Sequence, residues 1–294
     1  MEKLQYTFKN DILFKMVFVK YPHLLKSLVA VILRIETKSI TAFEILNSEM
    51  TPESVRDKFC RLDINMRVNG QLVDIEMQVT NEGNYPERVM YYWAREYSSA
   101  LPSGENYSQL PRTLVISIMD FRLFDCAEYH SFFQPLEVTR HTLLSDKMGF
   151  HFFELPKVPA EFDQKDELLL WLSLFNARTE EDLEKLNRTE GSIMSEAINA
   201  YRTVTASPEY RELERLREKA KHDEAQALLA AELRGEARGE ARGEARGKAI
   251  GISTGKAEVA QNLIRMGMSI RQVAEATGLT QREVETIQRA SYVS

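Results

Sequence analysis

An α/β (α+β) core in the order α-β-β-β-α-β, followed by a mostly helical C-terminal region, is the fold class this sequence predicts. Three observations predict it. Residues 61–78, RLDINMRVNGQLVDIEMQ, alternate apolar and polar side chains on both sides of Asn69-Gly70, the pattern of a hairpin. YPERVMYYWAREYSS and then RTLVISIM follow, which read as a proline-opened helix and a short buried strand. Beyond about residue 165 the apolar spacing becomes helical.

The elements follow in order. Residues 5–36 are predicted helical, with Phe8, Ile12, Leu24, Leu28 and Ile32 at helical spacing around a break near Tyr21-Pro22. A short strand is expected at 40–46, then the hairpin. A helix runs from Pro86, a strand covers 112–119, and a further strand covers 150–155. Residues 1–165 are thereby expected to form one domain. Helices at 168–175, 179–187, 192–204 and 209–233 make a helical region over 166–233.

The hairpin carries the chemistry. Asn69-Gly70 suits a type I′ turn, whose two central residues need positive φ. Leu62, Ile64, Met66 and Val68 then share a face with Val73, Ile75, Met77 and Val79. Asp63, Asn65 and Arg67 fall on the other face with Asp74, Glu76 and Gln78. Counting outward from Val68 opposite Gln71 sets Asp63 against Glu76 and Arg61 against Gln78. Opposed Cβ atoms lie about 4.5–5.5 Å apart, where like charges destabilise a sheet. A polar surface hairpin explains the alternation but not the two opposed acids. A divalent cation explains the opposed acids, since Mg2+ is held by one or two carboxylates with substrate phosphates and water. Such a site is suited to phosphodiester hydrolysis, by polarising the phosphoryl group and activating water.

Composition narrows the function classes. The chain has 294 residues, 44% hydrophobic and 28% charged, with a formal charge of −6, so DNA contacts must come from local basic patches. LLKSLVAVIL is interrupted by Lys26 and too short to span a bilayer. The N-terminus lacks a signal peptide's apolar stretch, and no membrane association is expected. Cys60 and Cys126 suggest neither a disulfide framework nor a zinc cluster. The expected location is cytoplasmic, at the nucleoid when on DNA. Five histidines without HxH or HExxH spacing argue against a zinc hydrolase, and no GxxxxGK[ST] loop is present.

The C-terminal third has two signals. RGEARGEARGEARGKAIG, residues 234–251, repeats every four residues. Each glycine costs a helix about 1 kcal/mol relative to alanine, and like charges recur at i,i+4. The segment is expected to be a flexible linker or a partner-stabilised helix. Residues 252–294 hold two capping boxes, Ser269 with Gln272 and Thr280 with Glu283. Each opens a short helix, and Val273, Ala274, Leu279, Val284 and Ile287 supply a small helix-turn-helix core. Glu283 and Glu285 beside Arg282 and Arg289 make a poor phosphate-binding surface. A small association module is preferred to a DNA reader.

The ordered set of NDILFKMVF, LDINMRVNGQLVDIEMQV, YPERVMYYWAREYS and the Gly-Glu-Ala-Arg tail resembles the recombination-promoting nucleases, a family also called transposases. They belong to the PD-(D/E)XK nuclease superfamily, with its restriction-endonuclease-like core. The resemblance covers most of the chain and implies a metal-dependent DNA endonuclease linked to recombination, mobile DNA or phage defence. Asp63 fits the motif's metal-binding aspartate and Glu76 its second acidic ligand. The Met77 carbonyl is implied to complete the site, with Asp11 of the first helix as a weaker ligand. Gln78 stands where the superfamily has lysine; it can hydrogen-bond water or phosphate but supplies no charge. Arg61, opposite it, is a candidate for supporting the developing charge. Lys15, Arg88 and Tyr92 are candidate DNA contacts, although Asp11 and Lys15 also read as an ordinary i,i+4 pair and Tyr91 to Trp93 as packing residues. Mg2+ is the expected cofactor, with Mn2+ or Ca2+ as alternatives. DNA and a second copy of the chain are the expected partners, and the tail is expected to take a regulatory partner or a shorter product of the same type. The rival reading is a catalytically inactive DNA-binding or regulatory protein on the same fold.

Overall fold

A computed structural model describes residues 2–46, 64–161, 163–189 and 193–291. Arg61, Leu62 and Asp63 lie outside the described residues, and with them the expected pairings Asp63–Glu76 and Arg61–Gln78. Among the described residues the chain forms α1 (Asp11–Lys20), α2 (Pro22–Leu33), β1 (Phe43–Ile45), β2 (Ile64–Val68), β3 (Gln71–Gln78) and α3 (Tyr85–Ser99). β4 (Thr113–Met119), β5 (His130–Phe133) and β6 (Met148–Glu154) follow, then α4 (Glu167–Asn176), α5 (Glu180–Asn187), α6 (Met194–Ala206), α7 (Pro208–Arg265), α8 (Ile270–Thr277) and α9 (Gln281–Ser291). The mixed α/β class is the one the patterning predicts.

The strands form one sheet in the order β1-β2-β3-β4-β6-β5. β2 runs antiparallel to both β1 and β3, β3, β4 and β6 run parallel, and β5 returns antiparallel along β6. Asn69 at φ 48° and Gly70 at φ 81° make the turn that the Asn-Gly pair requires. The register is Val68 opposite Gln71 through Ile64 opposite Ile75, as counted from the sequence. Asn69 also anchors β1, because its Oδ1 accepts from the Thr41 and Ala42 amides at 3.0 and 3.1 Å.

Each sheet face has its own cover. Ile64, Met66, Val68, Val73, Ile75, Leu114, Ile116 and Phe153 meet α1, α2, α4 and α6 in the larger core. Rings of Phe8, Phe14, Phe18, Trp171 and Phe175 interlock there at 4.8–6.2 Å, each fully buried ring contributing about 2–3 kcal/mol. The other face carries Val115, Met119, Phe150 and Phe152 beneath Tyr85, Val89 and Trp93 of α3. The hairpin's polar side is therefore no free surface: Asp74 is only 7% exposed.

Several expectations need correction. α1 begins at Asp11, where Asn10 caps it by accepting from the Leu13 amide. Val79, assigned to the core side, lies past the end of β3 and is exposed. β5 had no counterpart in the expected order. Residues 166–220 share the core of residues 1–165, because Trp171, Phe175, Ile198, Tyr201, Tyr210 and Leu213 are buried in it. The chain divides instead into Met1–Ala220 and Lys221–Ser294. Residues 234–251, expected to be a linker or a helix, take the helical alternative as part of α7.

In the second unit, Ala260, Val273 and Val284 form a small core with Leu263, Ile264, Leu279 and Ile287. Both capping boxes are present: the Ser269 amide donates to Gln272 Oε1 at 3.0 Å, and the Thr280 amide to Glu283 Oε2 at 2.8 Å. Among the described residues no single helix is long and apolar enough to cross a membrane.

Candidate active site

Glu76 sits near the C-terminal end of β3, a central strand, on the face that α3 covers. Ser117 of β4 is its register partner and is fully buried. α3 opens at Tyr85, just after the short turn leaving β3. Its phenol reaches back to donate to Glu76 Oε1 at 2.5 Å, while Ser117 Oγ donates to the same oxygen at 3.5 Å. The Tyr85 ring is fixed edge-on against Phe121 and Phe152 at 5.8 and 6.3 Å. Burial, and then the adjacent Glu76 charge, push the Tyr85 phenol well above its usual range. It therefore stays protonated and acts as a donor. The result is a carboxylate held by a hydroxyl whose own position is set by aromatic packing.

Asp74 lies two residues earlier on the same face, opposite Asn65. Asn65 Nδ2 donates to Glu96 Oε1 at 2.6 Å, which ties β2 to α3. Beyond Glu76, the Gln78 side chain donates to the Thr80 carbonyl at 2.9 Å, and the Gln78 carbonyl accepts from the Asp120 amide. Asp120 in turn pairs with Lys9 at 2.5 Å. Met77 buries its side chain in the larger core, with its backbone next to Glu76.

The remaining expected residues are scattered. Asp11 pairs with Arg217 at 2.9 Å, not with Lys15. Lys15 is 3% exposed on α1. Arg88 is bound to Glu82 at 3.1 Å and stacked over the Tyr85 ring at 5.0 Å, which makes it a support of the Tyr85–Glu76 pair. Tyr92 is half-buried against Tyr91, and Trp93 donates to the Thr113 carbonyl at 3.0 Å. Asp63 and Arg61 lie outside the described residues.

Sequence patterning missed three features here. Tyr85 read only as the start of a helix. Asp74 read as a surface residue. Glu154, fully buried at the end of β6, accepts from the Leu123 and Phe124 amides and from Lys157 Nζ at 2.7 Å; it fastens the segment after β4. The NYPER stretch, in which a Pro-opened helix begins just behind an acidic strand, is the one signal that pointed towards Tyr85.

A mixed sheet covered on both faces, with the Glu76 carboxylate braced on a central strand, defines the class as an α/β protein. The chain belongs to the PD-(D/E)XK nuclease family transposases, matching that family over residues 8–231. Its function is accordingly nuclease- or transposase-like, with DNA the substrate the family indicates. No match was found among curated proteins or solved structures.

PD-(D/E)XK nucleases generally use divalent metals. Glu76 offers the hard oxygen donor that such ions prefer, which fits. Among the described residues no three His, Cys, Asp or Glu side chains are grouped to hold an ion.

Proposed function

We propose that the protein is a divalent-metal-dependent DNA endonuclease, with Asp63 and Glu76 as its carboxylate ligands, Mg2+ as its ion and the Met77 carbonyl completing the set. The observation that carries this reading is Glu76 itself, an acid fixed by Tyr85 and Ser117 on a central strand of a sheet belonging to a nuclease family. A divalent ion bound there supplies Lewis acidity and a water of lowered pKa. The chain's own residues do the rest. Tyr85 and Ser117 hold the Glu76 carboxylate in one orientation, Gln78 positions water or a phosphate oxygen, and Arg61 supports negative charge developing at the phosphate. Asp11, engaged with Arg217, does not take part. The 221–294 unit pairs two copies so that two sites address two strands. Recombination, mobile DNA and phage defence all use this same cutting step.

Supercoiled plasmid incubated with wild type, Asp63→Ala and Glu76→Gln tests the reading, with Mg2+, Mn2+ or EDTA. Nicking by wild type alone, abolished by EDTA, is the expected result; equal nicking by all three proteins overturns the assignment. A monomer in light scattering at micromolar concentration overturns the pairing. One observation favours a second reading, a DNA-binding protein without cleavage. Gln78 carries no charge and is turned to the Thr80 carbonyl. That reading predicts DNA binding unchanged in Asp63→Ala and no nicking with any metal.

A further inference from the structure

At the opposite end of β3 from Gln78, the hairpin turn borders a cleft of about 480 Å3, within the range of ligand-binding sites. Arg67, Arg112 and Lys147 line it, against Asp146 as the acid in the lining. This concentration of positive charge stands out in a chain of net charge −6. Each cation is placed by the sheet. Arg67 is exposed on β2, opposite Leu72. The Arg112 carbonyl accepts from the Leu72 amide and the Lys147 carbonyl from the Thr113 amide, so both side chains start from ladder-fixed backbone. Lys147 Nζ is further steadied by the Leu110 carbonyl at 2.6 Å.

Two buried polar atoms in this lining, Arg112 Nε and Gln71 Oε1, have no hydrogen-bond partner. A guanidinium N–H without an acceptor carries a desolvation cost that an anionic oxygen relieves with a charge-assisted bond. With nothing bonded to Gln71 Oε1, its amide is free to turn and offer a donor at the same place. The cleft shares a lining residue with another cavity. Arg67 lines a second cavity of about 380 Å3 with Asn65, Asp74, Tyr92 and Arg95, and Asp74 is two residues from Glu76 on one face of β3. From Gln71 to Glu76 the strand rises about 16 Å, a span that a DNA backbone covers in a few nucleotides.

We infer that Arg67, Arg112 and Lys147 form a phosphate subsite, which holds the DNA backbone a few nucleotides from the bond that Glu76 serves. The inference rests on the endonuclease reading for its ligand, and its ligand chemistry is the phosphodiester oxygen. A free phosphate would satisfy the same donors, and the test separates the two.

The experiment measures binding of a fluorescein-labelled 20-base-pair duplex by anisotropy in EDTA between 50 and 200 mM salt. The proteins are wild type, Arg67→Ala, Arg112→Ala and Arg112→Lys, each checked for an unchanged far-ultraviolet spectrum and melting curve. Each alanine variant is expected to bind several-fold more weakly and to lower the log–log salt slope by about 1. Arg112→Lys should restore the slope without the full affinity, because lysine lacks the guanidinium fork. A merely structural role would leave the slope unchanged, and that result with both alanine variants overturns the subsite while plasmid nicking still stands. Calorimetry with inorganic phosphate is the second arm. Heat that disappears in Arg112→Ala, with DNA slopes unaltered, identifies a free-anion site and overturns the DNA assignment. Wild type that binds duplex with the expected slopes but nicks with no metal overturns the endonuclease reading and leaves the subsite in place.

Discussion

Replacing Tyr85 with phenylalanine isolates one oxygen atom. The phenol donates to Glu76 Oε1 at 2.5 Å from a side chain that is 1% exposed. A buried hydrogen bond to a charged group contributes about 1.5–3 kcal/mol. The phenylalanine ring keeps the contacts to Phe121 and Phe152, so the fold should survive with a modest fall in melting temperature. What is lost is the orientation of the carboxylate, since Ser117 at 3.5 Å is a weaker tether. Removing an outer hydrogen bond of this kind typically lowers metal affinity or activity by about 10–100-fold. The assay is plasmid nicking across a Mg2+ or Mn2+ titration, paired with calorimetric metal binding to wild type and Tyr85→Phe. The expected result is a half-saturating metal concentration raised by at least about tenfold, with part of the rate recovered at high metal. Identical titrations for the two proteins would refute the argument that Tyr85 positions Glu76.

Three further outcomes follow from packing and protonation. Burial, with His130, Arg112 and Arg34 adding to it, pushes His151 down to about 3. The unfolded chain takes up this proton below its ordinary value of about 6.5, so the stability is complete above that pH and is lost as pH falls towards 3. By pH 5 the loss from His151 should be about 2 kcal/mol, read as a fall in urea midpoint that His151→Phe removes; an undiminished fall in the variant counts against it. At Gly149 an added Cβ would lie 2.6 Å from Leu114 Cδ2 and 3.0 Å from Phe132, so Gly149→Ala should cost about 1–3 kcal/mol by overpacking, and an unchanged melting temperature would contradict the close approach. Gly239 and Gly243 have nothing within 4 Å of a built Cβ, so alanine there should stabilise the helix by about 0.8–1 kcal/mol each; hydrogen exchange in residues 234–251 should slow, and no change would show that the repeat is not limited by its glycines.

The parts of this fold legible in the sequence are those governed by neighbours along the chain. Asn69-Gly70 selects its turn by backbone sterics, and the turn sets the register as far as Ile64 opposite Ile75. Pro22 and Pro86 open helices, and the two capping boxes of the tail satisfy their own amides. What the pattern could not show depends on elements distant in sequence. β5 is an edge strand whose Phe132 and Phe133 are exposed, so HSFF carries no alternation to find. Asp74 reads as polar and outward until α3 is laid over it. The Asp11–Lys15 spacing satisfies the helical pairing rule, but Arg217, more than two hundred residues on, takes the aspartate. The helices after residue 165 have their own periodicity, yet their apolar faces close the core of the sheet; periodicity marks a buried face without naming what buries it.

The strand carrying Glu76 is bonded along both edges, with Val73 to Ile75 paired to β2 on one side and β4 on the other. Amides in such a position exchange with solvent only through the largest opening motions. The acid is therefore mounted on a part of the protein that moves last, while β1 and β5 at the sheet margins absorb local fraying. Heat inactivation should coincide with global unfolding instead of preceding it. Substitutions at the margins can erode stability for some distance before they displace the carboxylate by a fraction of an ångström.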